Sequence, residues 1–473
     1  MKGSPRVGAT LVRPRVRGAL AQRLPAAAAF ARAVPGRFLP QGALLLSTLT
    51  LGSYVLGLVR DRIFARTFGA GIELDSYNAA FVLPELMLDV LIASGLAAPF
   101  IPIFMGLKVD DERAAVAFGQ TILTGAVLVM GAAAAILFVF APQTAALIVP
   151  GFDDRQRQLY TTLFRVMCVT PVIFAASTAL GEVLVAERRF LSYGLAPLLY
   201  NAGIILGTVS LSGSLGIFGP AIGAVIGALL HLAIRVWGIR RTPFRVRPRL
   251  AVTRAVREFV KLMLPKMASH PIEPLTFLFF TSLATTLGAG SVTALSFARN
   301  FQSVPVSLIG ISFSLAAFPA LAAAYAGGDR ARFTAILRTN LATISILTTG
   351  AAIGLYVVAG FAIEHFLGGG AFDSGDIART TLVLSAFAVS VPFESLFHLL
   401  SRAMYATRNT LLQVAASLAG FVITVATGAL LAPEVGITAI PLSFALGTAA
   451  KVALVAIALV PRIRRLPPAP LTP

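Results

Sequence analysis

The stretch YVLGLVRDRIFARTFGAGIELD, residues 54–75, sets Arg60, Arg62 and Arg66 beside Asp61 and Asp75 in an otherwise apolar run. Guanidinium forks hold phosphate oxygens through paired N–H donors and do not lose their charge. A charge inside a membrane-compatible segment costs about 2.5–3.5 kcal/mol on insertion scales, so such residues face a bundle interior or water. Arg299 is the matching cation of the second half of the chain. Two readings of Arg60 stand side by side: with Arg299 it flanks one anion-binding cavity, or it pairs with Asp61 or Asp75 as a structural lock. Arg62 and Arg66 read as snorkelling toward headgroups.

Other charges fall into helical stripes. Lys266, His270 and Glu273 stand at i, i+4 and i+7, with Pro265, Pro271 and Pro274 interrupting the helix that carries them. Glu394, His398 and Arg402 form a second stripe, and Glu85 with Asp89 a third. Each is either a salt-bridge ladder fixing helix register or a group for gating and proton handling. None has metal-ligand spacing, and no cofactor is expected. His231 and His365 read as packing or loop residues. The single cysteine, Cys168, excludes an internal disulfide. No nucleophile, phosphate loop or metal cluster stands at a usable spacing, which argues against an enzyme.

These residues need a membrane scaffold to position them. Of 473 residues, 57% are hydrophobic and 12% charged, against about 25% charged in a typical soluble domain. The net charge of +19 does not indicate nucleic acid, because the cations lie between apolar runs and form no basic face. Twelve runs reach the ~20 residues that a span requires: 41–67, 76–104, 114–141, 160–187, 191–212, 216–238, 259–287, 291–324, 333–362, 378–405, 410–432 and 435–460. Residues 1–40 carry eight Lys or Arg and no acid; they read as a disordered basic arm on anionic lipid, without the apolar core of a signal peptide. Arg240, Arg241, Arg245, Arg247, Arg249, Arg254 and Arg257 fill the stretch between the two halves, and Arg462, Arg464 and Arg465 lie in the tail, whereas SLSGSLGIFG, TTLGAGSV and LAPEVG hold almost no cations. The positive-inside rule then puts both termini in the cytoplasm.

The twelve spans divide into two copies of six. FGAG at 68 recurs as LGAG at 287, Pro102 as Pro319, Glu112-Arg113 as Asp329-Arg330, GFD at 151 as AFD at 371, Ala186-x-Arg188 as Ala406-x-Arg408, and LGI at 215 as VGI at 435. An even number of spans gives both copies the same orientation, as parallel repeats with a substrate route at their interface. The expected fold is an all-α membrane protein. Its parts are an arm (1–40), a six-helix lobe (41–240), a basic linker (241–258), a second six-helix lobe (259–461) and a tail (462–473).

YVLGLVRDRIFARTFGAGIELDSYNAAFVLPELM, followed by GLAAPFIPIF, resembles the opening signature of the MurJ/MviN family, the lipid II flippases of the multidrug and polysaccharide exporter superfamily. GGGAFDSGDIARTTLVLSAFAVSVPFESLFHLLSRAMYATRNT is similar to the family's second-half loop, tenth span and following turn. The resemblance implies an inner-membrane protein that alternates between inward-open and outward-open states and moves an undecaprenyl-pyrophosphate-linked peptidoglycan precursor outward. It also implies that Arg60 lines the cationic cavity and that Asp75 is the acidic residue opening span two. With Arg299, Asn300, Asp61 and Asp89 these make the candidate substrate set. Departures are visible: Tyr54 replaces an arginine, Leu88-Asp89 an Arg-Arg pair, Ala93-Ser94-Gly95 a glutamate-bearing triplet, and Asn300 the usual arginine of span eight. The expected partners are a lipid-linked saccharide, membrane lipids, and cell-wall synthesis or division proteins. Asp89, Glu85 and Glu273 suit a cation or drug antiporter of the same superfamily, and the missing cavity residues a non-transporting envelope scaffold; both remain alternatives.

Overall fold

The computed structural model describes residues 41–269 and 271–467. The helices are α1 (Gln41–Phe68), α2 (Ile72–Asp110), α3 (Glu112–Val139), α4 (Asp154–Ala186), α5 (Phe190–Leu215) and α6 (Phe218–Ile239). The second half continues with α7 in two pieces (Arg254–Ser269 and Ile272–Thr285), α8 (Ser291–Ala326), α9 (Arg330–Phe366), a bent α10 (Ser374–Ala388 and Ser390–Ala406), α11 (Leu411–Val435) and α12 (Ala439–Arg464). By length and composition, 8 helical stretches among the described residues can cross a membrane, or 9 with the bent α10. One of the 8, Leu411–Arg464, is the α11–α12 hairpin turned at Gly436 and so supplies two spans. With α1, 28 residues long, and the interrupted α7, helices occupy all twelve expected positions. The side chains these helices leave exposed include Ile346, Val357 and Leu430, each above 70%, a surface that suits hydrocarbon and not water.

The duplication is visible in the backbone. Asp111 and Asp329 cap α3 and α9, accepting from Arg113 N and Arg332 N; Asp153 and Asp373 cap α4 and α10 in the same way. Gly216 and Gly436 take φ 53° and 59° at the hairpin turns. Among the described non-glycine residues, Arg188 and Arg408 adopt positive φ, 55° and 58°, and these are the two arginines that the sequence comparison pairs. Both α2 and α8 are interrupted by π-helical turns, Asp89–Ala93 and Val306–Ile311, a distortion common at functional sites.

Packing follows from residue size. Gly219, Gly223 and Gly227 on α6 meet Gly203 and Gly207 on α5 so closely that a Cβ on most of them would strike the facing backbone, the small-residue contact that lets membrane helices approach. One apolar cluster around Phe100, Phe104 and Phe118 fills the first lobe, and another around Phe333 and Leu399 the second. A third, with Tyr77, Phe280, Phe297 and Phe387, is shared between the lobes.

One expectation needs correction here. The Lys266–His270–Glu273 stripe does not lie on one helix, because α7 stops at Ser269 and resumes at Ile272 after Pro271, which has no N–H to continue the ladder; the Lys266 side chain and His270 fall outside the described residues. The basic stretch 241–258 packs on the first lobe. Phe244 is 2% exposed, Gln120 Nε2 donates to the Arg245 carbonyl at 2.8 Å, and helix resumes at Arg254. Residues 1–40 lie outside the described residues.

One end of the bundle is closed across the lobes. Asp75 on α2 accepts from Gly290 N at 2.6 Å, Thr293 N at 2.7 Å and Thr293 Oγ1 at 2.6 Å, and so caps α8 from the opposite lobe. Asp376 returns the arrangement, accepting from Ala70 N at 2.8 Å. Gly290, at φ 83°, lies so close to the Ala70 carbonyl that no side chain fits there. Arg62 Nη1 donates to the Phe366 and His365 carbonyls at 2.6 and 3.0 Å, and Arg66 Nη2 to the Gly368 carbonyl at 2.9 Å. These two arginines therefore staple the lobes instead of snorkelling, because the opposing loop offers carbonyls within reach.

Candidate functional site

Beneath this closure lies a cavity of about 300 Å³ between the lobes, lined among others by Arg60, Asp61, Tyr77, Glu85, Arg299 and Asn300. A second, of about 360 Å³, shares Glu85 and adds Asp89 and Glu273. A third, of about 420 Å³, shares Arg60, Asp61 and Asn300 and runs along α1 between α5 and α8. Arg60, Asp61 and Asn300 thus line the first and third cavities, Arg299 the first and Asp89 the second. Asp75 does not: it is 0% exposed, and its carboxylate is occupied by the cap on α8.

Both cavity arginines carry a carboxylate, so the two readings of Arg60 are not exclusive. Arg60 reaches Asp61 Oδ1 through Nε at 3.1 Å and Nη2 at 2.8 Å, and Asn201 Oδ1 through Nη1 at 3.2 Å. The second oxygen of Asp61 accepts from Asn300 Nδ2 at 2.7 Å, which joins the lobes at mid-cavity. Arg299 meets Glu394 fork to fork, both contacts 2.8 Å, and also donates to the Gln302 side chain. Its guanidinium lies 5.0 and 5.1 Å from the Phe277 and Phe444 rings. The side chains of Arg60 and Arg299 remain 25% and 18% exposed. An entering phosphate must compete with carboxylates at both, and Arg60, held edge-on by one oxygen, is the easier to reach.

The Glu394–His398–Arg402 stripe does lie on one helix, the second piece of α10, but its bonds go to α8 and not along itself. Glu394 pairs with Arg299, and Arg402 Nε donates to Ser314 Oγ at 3.1 Å. The stripe thus pins α10 to the broken α8. His398 lies in the electrostatic field of Glu394, Glu273, Arg402 and Arg299. His231 packs as expected, with Nδ1 2.7 Å from Ser177 Oγ and its ring edge-on to Phe174; His365 stacks on Phe361. Among the described residues no group of three His, Cys, Asp or Glu side chains forms a metal site.

The sequence reading missed Asn201, Gln302 and Arg235. Asn201 and Gln302 are polar side chains in apolar helices, a signal that was available. Arg235 falls inside the expected span 216–238, next to the basic stretch that follows; in the structure it is 6% exposed inside α6.

The family model described as lipid II flippase MurJ matches residues 64–469. The chain belongs to the MurJ family of lipid II flippases. Among its relatives in that family, the probable lipid II flippase of Thermotoga maritima is 28% identical over 371 residues, 77% of this chain and 74% of that one. The lipid II flippase of Burkholderia cenocepacia is 25% identical over 418 residues, 85% and 80% of the two chains. A solved MurJ structure in an inward closed conformation superposes with a TM-score of 0.76 at 22% identity, covering 89% of this chain and 90% of that one. An inward-facing multidrug resistance MATE transporter also gives 0.76, at 14% identity, over 90% and 99%. The fold is therefore that of MurJ and MATE proteins: two like-oriented six-helix lobes enclosing a central cavity.

Proposed function

We propose that this chain moves lipid II, or a related undecaprenyl-pyrophosphate-linked saccharide, from the inner to the outer leaflet of the bacterial inner membrane by alternating access. Family membership supports the substrate class. The observation that carries the site is the pair Arg60 and Arg299, opening from opposite lobes onto one cavity. The basic loops and the chain end at Arg462–Arg465 support cytoplasmic termini, and the closed end is then the outer one. In this state the cavity is shut toward the outside and set to load.

The pyrophosphate enters as a bidentate ligand of Arg60, displacing Asp61, which stays with Asn300 until the lobes part. Arg299 exchanges Glu394 for the second phosphate. Asp89 lies toward the sugar-bearing side of the cavity, while Glu273, Glu394, His398 and Arg402, with Lys266 and His270, form the gating and proton-coupling set. Carrying two negative charges outward across an inside-negative membrane gains about 4.6 kcal/mol per 100 mV, twice the roughly 2.3 per charge, so the potential favours the outward step. Lobes at 41–240 and 259–461, with arm, linker and tail outside them, are the moving parts.

The carboxylates Asp61, Glu85, Asp89 and Glu273 around the same space favour a second reading, a cation or drug antiporter. Complementation separates the two. A flippase-depleted bacterium expressing this chain should grow and keep its shape. Failure to complement, together with drug resistance that disappears in Asp89→Asn, would select the antiporter.

A further inference from the structure

The third cavity, the slot along α1, has an arginine near each end. It shares Arg60 with the central cavity and also meets Arg235 and Tyr193. Along α5, Tyr193 and Asn201 are eight residues apart, roughly 12 Å at 1.5 Å per residue, so Arg235 near Tyr193 stands toward the basic end and Arg60 at Asn201 toward the middle. Between them the walls include Leu46, Leu58 and Val304.

Arg235 differs from the other two arginines in making no ion pair among the described residues; buried Glu182 acts on it only through space. One nitrogen, Nη1, donates to the Ser177 carbonyl at 2.5 Å, and the guanidinium lies 5.0 Å from the Tyr193 ring. Its Nε is buried with no hydrogen-bond partner among the described residues. The seat is built for it, since any side chain at Gly181 would collide with the guanidinium. A buried cation with an unused donor on the wall of a slot is costly unless an anion completes it.

We propose that Arg235 is a phosphate-binding subsite that takes the headgroup phosphate of a prenyl-chain lipid at the basic end of the slot before the headgroup passes to Arg60. The prenyl chain lies along Leu46, Leu58 and Val304. This assignment rests on the flippase reading.

The test is binding to the full-length protein in nanodiscs of neutral lipid, with farnesyl pyrophosphate as the lipid probe and inorganic pyrophosphate as the free one. Arg235→Gln, which keeps a donor for the Ser177 carbonyl, should weaken farnesyl pyrophosphate binding roughly tenfold, the scale of one charge-assisted hydrogen bond. Arg235→Lys should recover part of that loss. Gly181→Ala, which keeps the charge but displaces it, should reproduce the loss and stands in should Arg235→Gln not fold. Inorganic pyrophosphate should bind at least tenfold more weakly than the prenyl compound. Unchanged affinity in both Arg235→Gln and Gly181→Ala would overturn the subsite, and equal affinity for the two probes would overturn its lipid character. A wild-type protein that binds farnesyl pyrophosphate but translocates no lipid II would refute the flippase reading alone, whereas a translocating protein indifferent to Arg235→Gln would refute the subsite alone.

Discussion

Arg299 and Glu394 face each other fork to fork with side chains only 18% and 10% exposed. Removing one partner strands the other as a buried charge, which costs about 3 kcal/mol or more, whereas removing both does not. Arg299→Ala should therefore lower the melting temperature of the purified protein more than the Arg299→Ala, Glu394→Ala double variant; equal losses would mean that the pair contributes only packing. At this scale the sequence revealed the cations and hid their partners. An arginine in an apolar run is conspicuous by its cost, and Asp61 is visible beside Arg60. Glu394 is 95 residues from Arg299, and Asp75 finds its donors 215 and 218 residues away, separations that no local pattern encodes. Asp75 consequently read as a cavity acid when it is a helix cap. Arg235 was inconspicuous for the converse reason, since it borders a run of arginines that are in fact exposed.

Helix number and position were legible because hydrocarbon thickness and hydropathy set them together, and the twofold repeat because the same capping aspartates and turn residues recur in order. The structure adds contacts that depend on the absence of a side chain. On α6 Gly223 meets the backbone of Gly203 and Gly207, and Gly223→Leu should prevent the α5–α6 hairpin from closing. The expected result is loss of monodisperse protein on size-exclusion chromatography, with the exposed Gly213→Leu harmless; a Gly223→Leu protein that elutes and melts like wild type would contradict this packing. The break in α7 was half legible. The prolines announced an interruption, but a stripe at i, i+4 and i+7 presumes the continuous helix that Pro271 prevents. The packing of Phe244 and Arg245 onto the first lobe was hidden, because their stretch reads by composition as a basic linker.

For the whole molecule, alternating access requires that one end of the bundle be held shut by bonds weak enough to release. The Asp75 cap on α8, the Asp376 contact at Ala70, and the Arg62 and Arg66 staples meet that requirement, each hydrogen bond adding a net 0.5–1.5 kcal/mol or roughly twice that where charged. Asp75→Asn exchanges an acceptor for a donor opposite backbone N–H groups and should shift the balance by about 1–3 kcal/mol toward opening at this end. In a Cys168→Ala background, spin labels at Thr67→Cys and Thr286→Cys should then show a larger long-distance population, and an unchanged distribution would remove Asp75 from the gate. The most direct measurement concerns the arginines that open onto the cavity from the two lobes: lipid II translocation in proteoliposomes bearing an inside-negative potential, with wild-type protein against a folded Arg60→Ala variant. The expected result is potential-stimulated translocation in the wild type and its loss in the variant; wild-type translocation rates in Arg60→Ala would contradict the assignment of that cavity as the phosphate site.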